Sequence, residues 1–157
     1  MKKTPLSKGI LILAIIALVG LSLTAIAKPS FIYKNLWNSP YGVVFVSANY
    51  DSVLDKTCFT YKVCVKKKPA LSHMLIEIKT CNGVIVLCSN PEHAEVGPDG
   101  QTGIFGIKWE DSVEPGEHMY FSFCLAGEWD VGWVTVLAKG GKIIATAPIR
   151  GPVCPSL

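Results

Sequence analysis

The chain has 157 residues, half of them hydrophobic, with 15 Lys and Arg against 12 Asp and Glu. Its formal charge of +3 is carried by Lys2, Lys3 and Lys8, and setting these three aside leaves basic and acidic residues in balance. Such a chain lacks the clustered basic face expected of a nucleic-acid-binding protein, and Lys66-Lys67-Lys68, its one basic cluster, reads as a solvated loop.

The three N-terminal lysines precede GILILAIIALVGLSLTAIA, residues 9–27, which carry no charge. A basic start, an apolar stretch from Ile10 to Leu21 and a small-residue end at Ala25-Ile26-Ala27 predict a signal peptide over residues 1–27, cleaved after Ala27. About 18 apolar residues suffice to span a bilayer, so the alternative is an uncleaved anchor holding the domain outside. The localisation expected is extracytoplasmic, secreted or at the cell surface. Residues 28–157 are expected to form a single domain, large enough to bury about two thirds of its surface.

After a polar and aromatic lead-in, residues 28–41, the hydrophobic periodicity is that of strands. GVV and FVSANY (42–50), CFTYKVCV (58–65), HMLIEIK (73–79) and VIVLC (84–88) come first. GIFGIKW (103–109), HMYFSFCL (118–125), GWVTVLAK (132–139) and KIIATAPI (142–149) follow. About eight strands at this spacing predict an all-β sandwich. Asn82-Gly83 and Gly140-Gly141 read as two-residue hairpin turns, where positive φ is needed. Gly97-Pro98-Asp99-Gly100 and Glu114-Pro115-Gly116 mark further turns.

Alternation assigns faces. Phe59, Tyr61, Val63 and Val65 point to the core, with Cys58, Thr60, Lys62 and Cys64 outward. Met119, Phe121, Phe123 and Leu125 oppose Tyr120, Ser122 and Cys124. Met74, Ile76 and Ile78 oppose His73, Leu75, Glu77 and Lys79.

Cys58, Cys64, Cys81, Cys88, Cys124 and Cys154 are six cysteines in a chain expected to be exported, which predicts a disulfide framework rather than a metal site. Cys58 cannot pair with Cys64, because six residues of strand span about 20 Å and a disulfide needs Cα atoms within about 7 Å. The two are expected to bridge to different neighbours over the outer surface of a sheet. If Asn82-Gly83 closes a tight hairpin, Cys81 and Cys88 are also too far apart. Cys154, in the tail GPVCPSL, is suited to pinning the C-terminus. The remaining connectivity stays open.

No other cluster carries strong chemistry. His73 and Glu77 share a strand face about 13 Å apart, too far for acid–base cooperation. Glu92-His93-Ala94-Glu95 with Asp99 reads as a solvated loop. The acidic stretch Glu110 to Glu117 has oxygen ligands for calcium but no regular ligand spacing. No nucleophile elbow, zinc helix or phosphate loop is present, so no catalytic residue, metal or cofactor is assigned. Trp129, in AGEWDVGW, is the candidate ligand-binding aromatic, placed to stack on a sugar ring if exposed.

The segments PALSHMLIEI (69–78), TGIFGIKWE (102–110), MYFSFCLAG (119–127) and GPVC (151–154), in this order, resemble secreted prokaryotic β-sandwich proteins of immunoglobulin-like type. The resemblance implies fold and export, and lends no activity to Ser72, His73, Lys108 or Trp109. The function expected is a non-enzymatic, exported structural or adhesion module whose partners are copies of itself or cell-surface polymers. Assembly by strand exchange through residues 28–41 is its specific form. A carbohydrate-binding module and a secreted hydrolase are the alternatives.

Overall fold

The computed structural model describes residues 34–36, 39–79 and 83–155. The expected signal peptide, residues 28–33 and 37–38 of the lead-in, Cys81 and Asn82 lie outside the described residues. Within them no helix is long and apolar enough to cross a membrane. The strands are β1 (Lys34–Asn35), β2 (Tyr41–Asp51), β3 (Lys56–Val65), β4 (His73–Glu77) and β5 (Val86–Asn90). They continue as β6 (Glu95–Pro98), β7 (Phe105–Trp109), β8 (His118–Ala126), β9 (Asp130–Gly140) and β10 (Ile143–Val153).

These strands make two antiparallel sheets, ordered β1-β2-β3-β8-β5 and β10-β9-β4-β7-β6. The alternation read in β3 holds residue by residue: Phe59, Tyr61, Val63 and Val65 are buried, and the intervening side chains are partly exposed. Phe121, Phe123 and Leu125 on β8 join them in the core. From the other sheet come Met74, Ile76, Ile107, Trp109, Val134 and Val136. Trp109 meets Phe121 edge-on across the interior, ring centroids 5.3 Å apart, so the two sheets face each other as a β-sandwich.

β1 and β6 add to the eight strands expected. The two glycine turns depart from expectation in different ways. Gly140 pairs with Ile143 inside the β9–β10 ladder, so the two-residue turn is Gly141-Lys142, with Gly141 at φ 56°. Gly140 is a glycine for another reason: a Cβ there would collide with the Ala70 carbonyl oxygen and the Tyr41 hydroxyl.

β4 and β5, the strands flanking Asn82-Gly83, do not pair with each other as a hairpin would require. β4 pairs with β7 and β9 in one sheet, whereas β5 pairs with β8 in the other. The two strands therefore belong to different sheets. Hairpin spacing specified a turn, but partner choice was set by which apolar faces had to meet.

Candidate functional site

The outer face of the second sheet carries the densest group of charged side chains. His73 on β4 lies directly opposite Lys139 on β9. One row along, Leu75 lies between Leu137 on β9 and Lys108 on β7, and Lys108 faces Glu95 on β6. Leu75 and Leu137 are fully buried although they point away from the core, so this face is covered. Asp99, following β6, folds back over it.

Asp99 is nearly inaccessible, at 3% exposure. Its carboxylate accepts hydrogen bonds from Lys139 Nζ, from the backbone N–H of Gln101 and Thr102, and from the Thr102 hydroxyl. Burial alone pushes its pKa up, but these donors together outweigh burial and hold the carboxyl well below the usual carboxylate range. His73 Nε2 lies 3.7 Å from Asp99 Oδ1, and Nδ1 lies 3.9 Å from Glu110 Oε1, both beyond hydrogen-bond reach. Nε2 is buried without a hydrogen-bond partner. Burial, with the Lys139 charge adding to it, lowers the His73 pKa against the opposing pull of Asp99 and Glu110. The imidazole is therefore neutral near pH 7.

Beside this cluster opens a cleft of about 230 Å³ lined by His93, Glu95, Lys108, Glu110 and Asp111. Lys108 is engaged with Glu95 at 2.7 Å. Three carboxylates against one paired lysine make the cleft receptive to small cationic groups. Among the described residues no three His, Cys, Asp or Glu side chains converge to hold a metal ion. The acidic stretch disperses: Glu114 accepts from the Ser112 hydroxyl, Glu117 accepts from the Glu114 N–H, and Glu110 turns toward His73.

The sites foreseen in the sequence are redistributed. Glu77, as expected, does not act with His73; its carboxylate accepts the Thr135 N–H at 2.6 Å. Asp99 is no part of a solvated loop, since it anchors the buried ion pair. Trp129 is not an exposed platform: it is 8% exposed, packs into the core and donates its indole N–H to the Ala126 carbonyl. The Thr57 hydroxyl donates to the Gly127 carbonyl and accepts the Trp129 backbone N–H, which ties the β8–β9 turn down. Among the described residues the exposed tryptophan is Trp133, 52% exposed, with the Arg150 guanidinium 5.4 Å from its ring centre.

The cysteines correct the expected framework in part. Cys58 is bonded to Cys124, its direct neighbour on β8, not to Cys64. Cys154 is also in disulfide linkage. Cys64 and Cys88 are free thiols. Cys64 faces Gly42 and His118 across its two neighbouring strands, so no second thiol is opposite it. Cys88 does face a cysteine, Cys124, but that one is already bonded. No known protein family matches this chain, and no curated protein is significantly similar to it.

Proposed function

We propose that this protein is an exported, non-enzymatic module of immunoglobulin-like type that serves as a structural and adhesion element outside the cytoplasm and assembles by strand exchange. The type is supported by strand order. β2-β3-β8-β5 opposite β10-β9-β4 follows the ABED and GFC arrangement, with β6 and β7 added beside β4. Export is supported by the disulfides, which form and persist in oxidising compartments.

The observation that carries assembly is the outer edge of β2. There only Gly42 and Val43 are paired, by Asn35 and Lys34. From Val44 to Asp51 the backbone has no ladder partner on that side among the described residues. This stretch contains neither proline nor lysine, the usual guards of an edge, and its one irregularity is a bulge at Val46. By contrast β10 carries Pro148 and Pro152, and β6 is short and ends in Pro98. Leu36 is fully buried in the core of its own subunit, which narrows the donated segment from residues 28–41 to those before Lys34. A segment that leaves its own subunit before Lys34 would lie antiparallel along the acceptor's β2 edge from Val44 to Asp51. Light scattering and negative-stain imaging of residues 28–157 and 34–157 test this. Concentration-dependent oligomers or chains are expected only with residues 28–33, and a strict monomer of 28–157 at high concentration ends the reading.

A second reading, polysaccharide binding, is supported by the exposed Trp133 against Arg150. It requires retention on insoluble cell-wall polysaccharide and its loss in Trp133→Ala; a wild-type protein that flows through argues against it.

A further inference from the structure

Cys58, Cys124 and Cys88 stand in one row across β3, β8 and β5. Cys58 and Cys88 are both directly opposite Cys124, one on each side. Directly opposed residues of antiparallel strands project on the same face, with Cβ atoms about 5 Å apart. The Cys58–Cys124 bond joins one such pair, Cα atoms 4.0 Å apart, and the free Cys88 is the opposed residue of the other pair.

A bulge brings the third thiol into the row. Val86 faces Leu125 and Cys88 faces Cys124, so Leu87 is an extra residue on β5. Without it Leu87 would face Cys124, and Cys88 would fall opposite Phe123, on the core side. Bulges re-aim side chains in this way. Cys88 is exposed on an edge strand, where solvent reaches it, whereas Cys124 is nearly buried.

We propose that this row is a thiol–disulfide exchange site, in which the Cys88 thiolate displaces Cys58 from Cys124. Displacement at sulfur runs with nucleophile and leaving group on opposite sides of the attacked atom. Cys124 occupies that middle position, with Cys88 on one flank and Cys58 on the other. One bond forms, Cys88 Sγ–Cys124 Sγ, and one breaks, Cys124 Sγ–Cys58 Sγ. The proton released by Cys88 is matched by the proton taken up by Cys58. No oxidant or reductant is consumed. The exchange moves the cross-link from the β3–β8 pair to the β5–β8 pair, clamping an edge strand and leaving the free thiol on β3.

The test uses residues 28–157 with no added thiol or oxidant, held between pH 6 and 9, acid-quenched, alkylated and mapped by mass spectrometry. A Cys88–Cys124 peptide is expected beside the Cys58–Cys124 peptide, with alkylation divided between Cys58 and Cys88. Exchange should quicken about tenfold per pH unit below the thiol pKa, following the thiolate fraction. It should not depend on protein concentration. Cys88→Ser should remove all labelling of Cys58, and Cys64→Ser should leave the division unchanged. Labelling confined to Cys88 and Cys64 after hours at pH 8.5 overturns the proposal. So does exchange proportional to concentration, which is intermolecular, or exchange lost in Cys64→Ser.

Discussion

Lys139 reaches across the outer face of the second sheet and bonds both carboxylate oxygens of Asp99, 40 residues away in the chain. The pair ties the turn after β6 to β9. Removing one partner strands the other in a site with little water. Asp99→Asn and Lys139→Met should each cost on the order of 3 kcal/mol, the usual loss on breaking a buried pair. Urea unfolding is the measurement, with a lower midpoint and an unchanged slope expected.

His73 gives the fold a pH dependence with a defined sign. Its pKa is lowered from the ordinary 6.5, so the unfolded chain takes up a proton before the folded one does. Stability contributed by the neutral imidazole is present above about pH 6.5 and is lost as pH falls through the lower folded value. Asp99 acts the same way in a more acid window, below the ordinary 3.8. Melting temperatures of the wild type should fall as pH drops below 6.5, and His73→Gln should flatten that limb while leaving the Asp99 limb in place.

Non-reducing peptide mapping of acid-trapped protein should find Cys58–Cys124 as the main bridge, and Cys154 joined to Cys81, the one cysteine then unassigned. Intact mass should count two bridges and two alkylatable thiols, one at Cys64 and one shared between Cys88 and, after exchange, Cys58. The paired substitution of Cys58 and Cys124 by alanine should cost about 2–4 kcal/mol, the range for closing a long loop.

Two glycines separate close approach from empty space. A methyl group at Gly140 meets the Ala70 carbonyl and the Tyr41 hydroxyl, which are themselves hydrogen-bonded to each other at 3.3 Å. At Gly97 it meets nothing. Gly140→Ala should destabilise by about 1–3 kcal/mol, as overpacking does, and Gly97→Ala should stay within about 0.5 kcal/mol of wild type. Paired denaturation curves check both.

Strand positions and faces were legible because β periodicity is local: burial of Phe59, Tyr61, Phe121 and Phe123 follows from alternation alone. The impossibility of a Cys58–Cys64 bridge was equally legible, since it depends only on rise per residue. What escaped were relations between distant segments. Asp99 looked like part of a solvated loop because nothing near it in sequence announces Lys139. Trp129 looked like a strand-entrance aromatic because the hydroxyl that receives its N–H is 72 residues away. The pairing of β4 with β5 expected from Asn82-Gly83 failed for the same reason, as a turn signal does not say which sheet the next strand joins. The bulge at Leu87, which sets the thiol row, leaves no mark in an apolar run.

The route of the chain between β5 and β8 has an evolutionary consequence. These two strands are neighbours in one sheet, yet the chain between them makes an excursion to the other sheet as β6 and β7. Every residue lining the cleft, from His93 to Asp111, belongs to that excursion. It adds β6 and β7 to the open edge of β4, outside the β10-β9-β4 part of that sheet. Substitutions that change the cleft's charges can therefore be confined to this excursion while Ile107 and Trp109 keep their inward contacts.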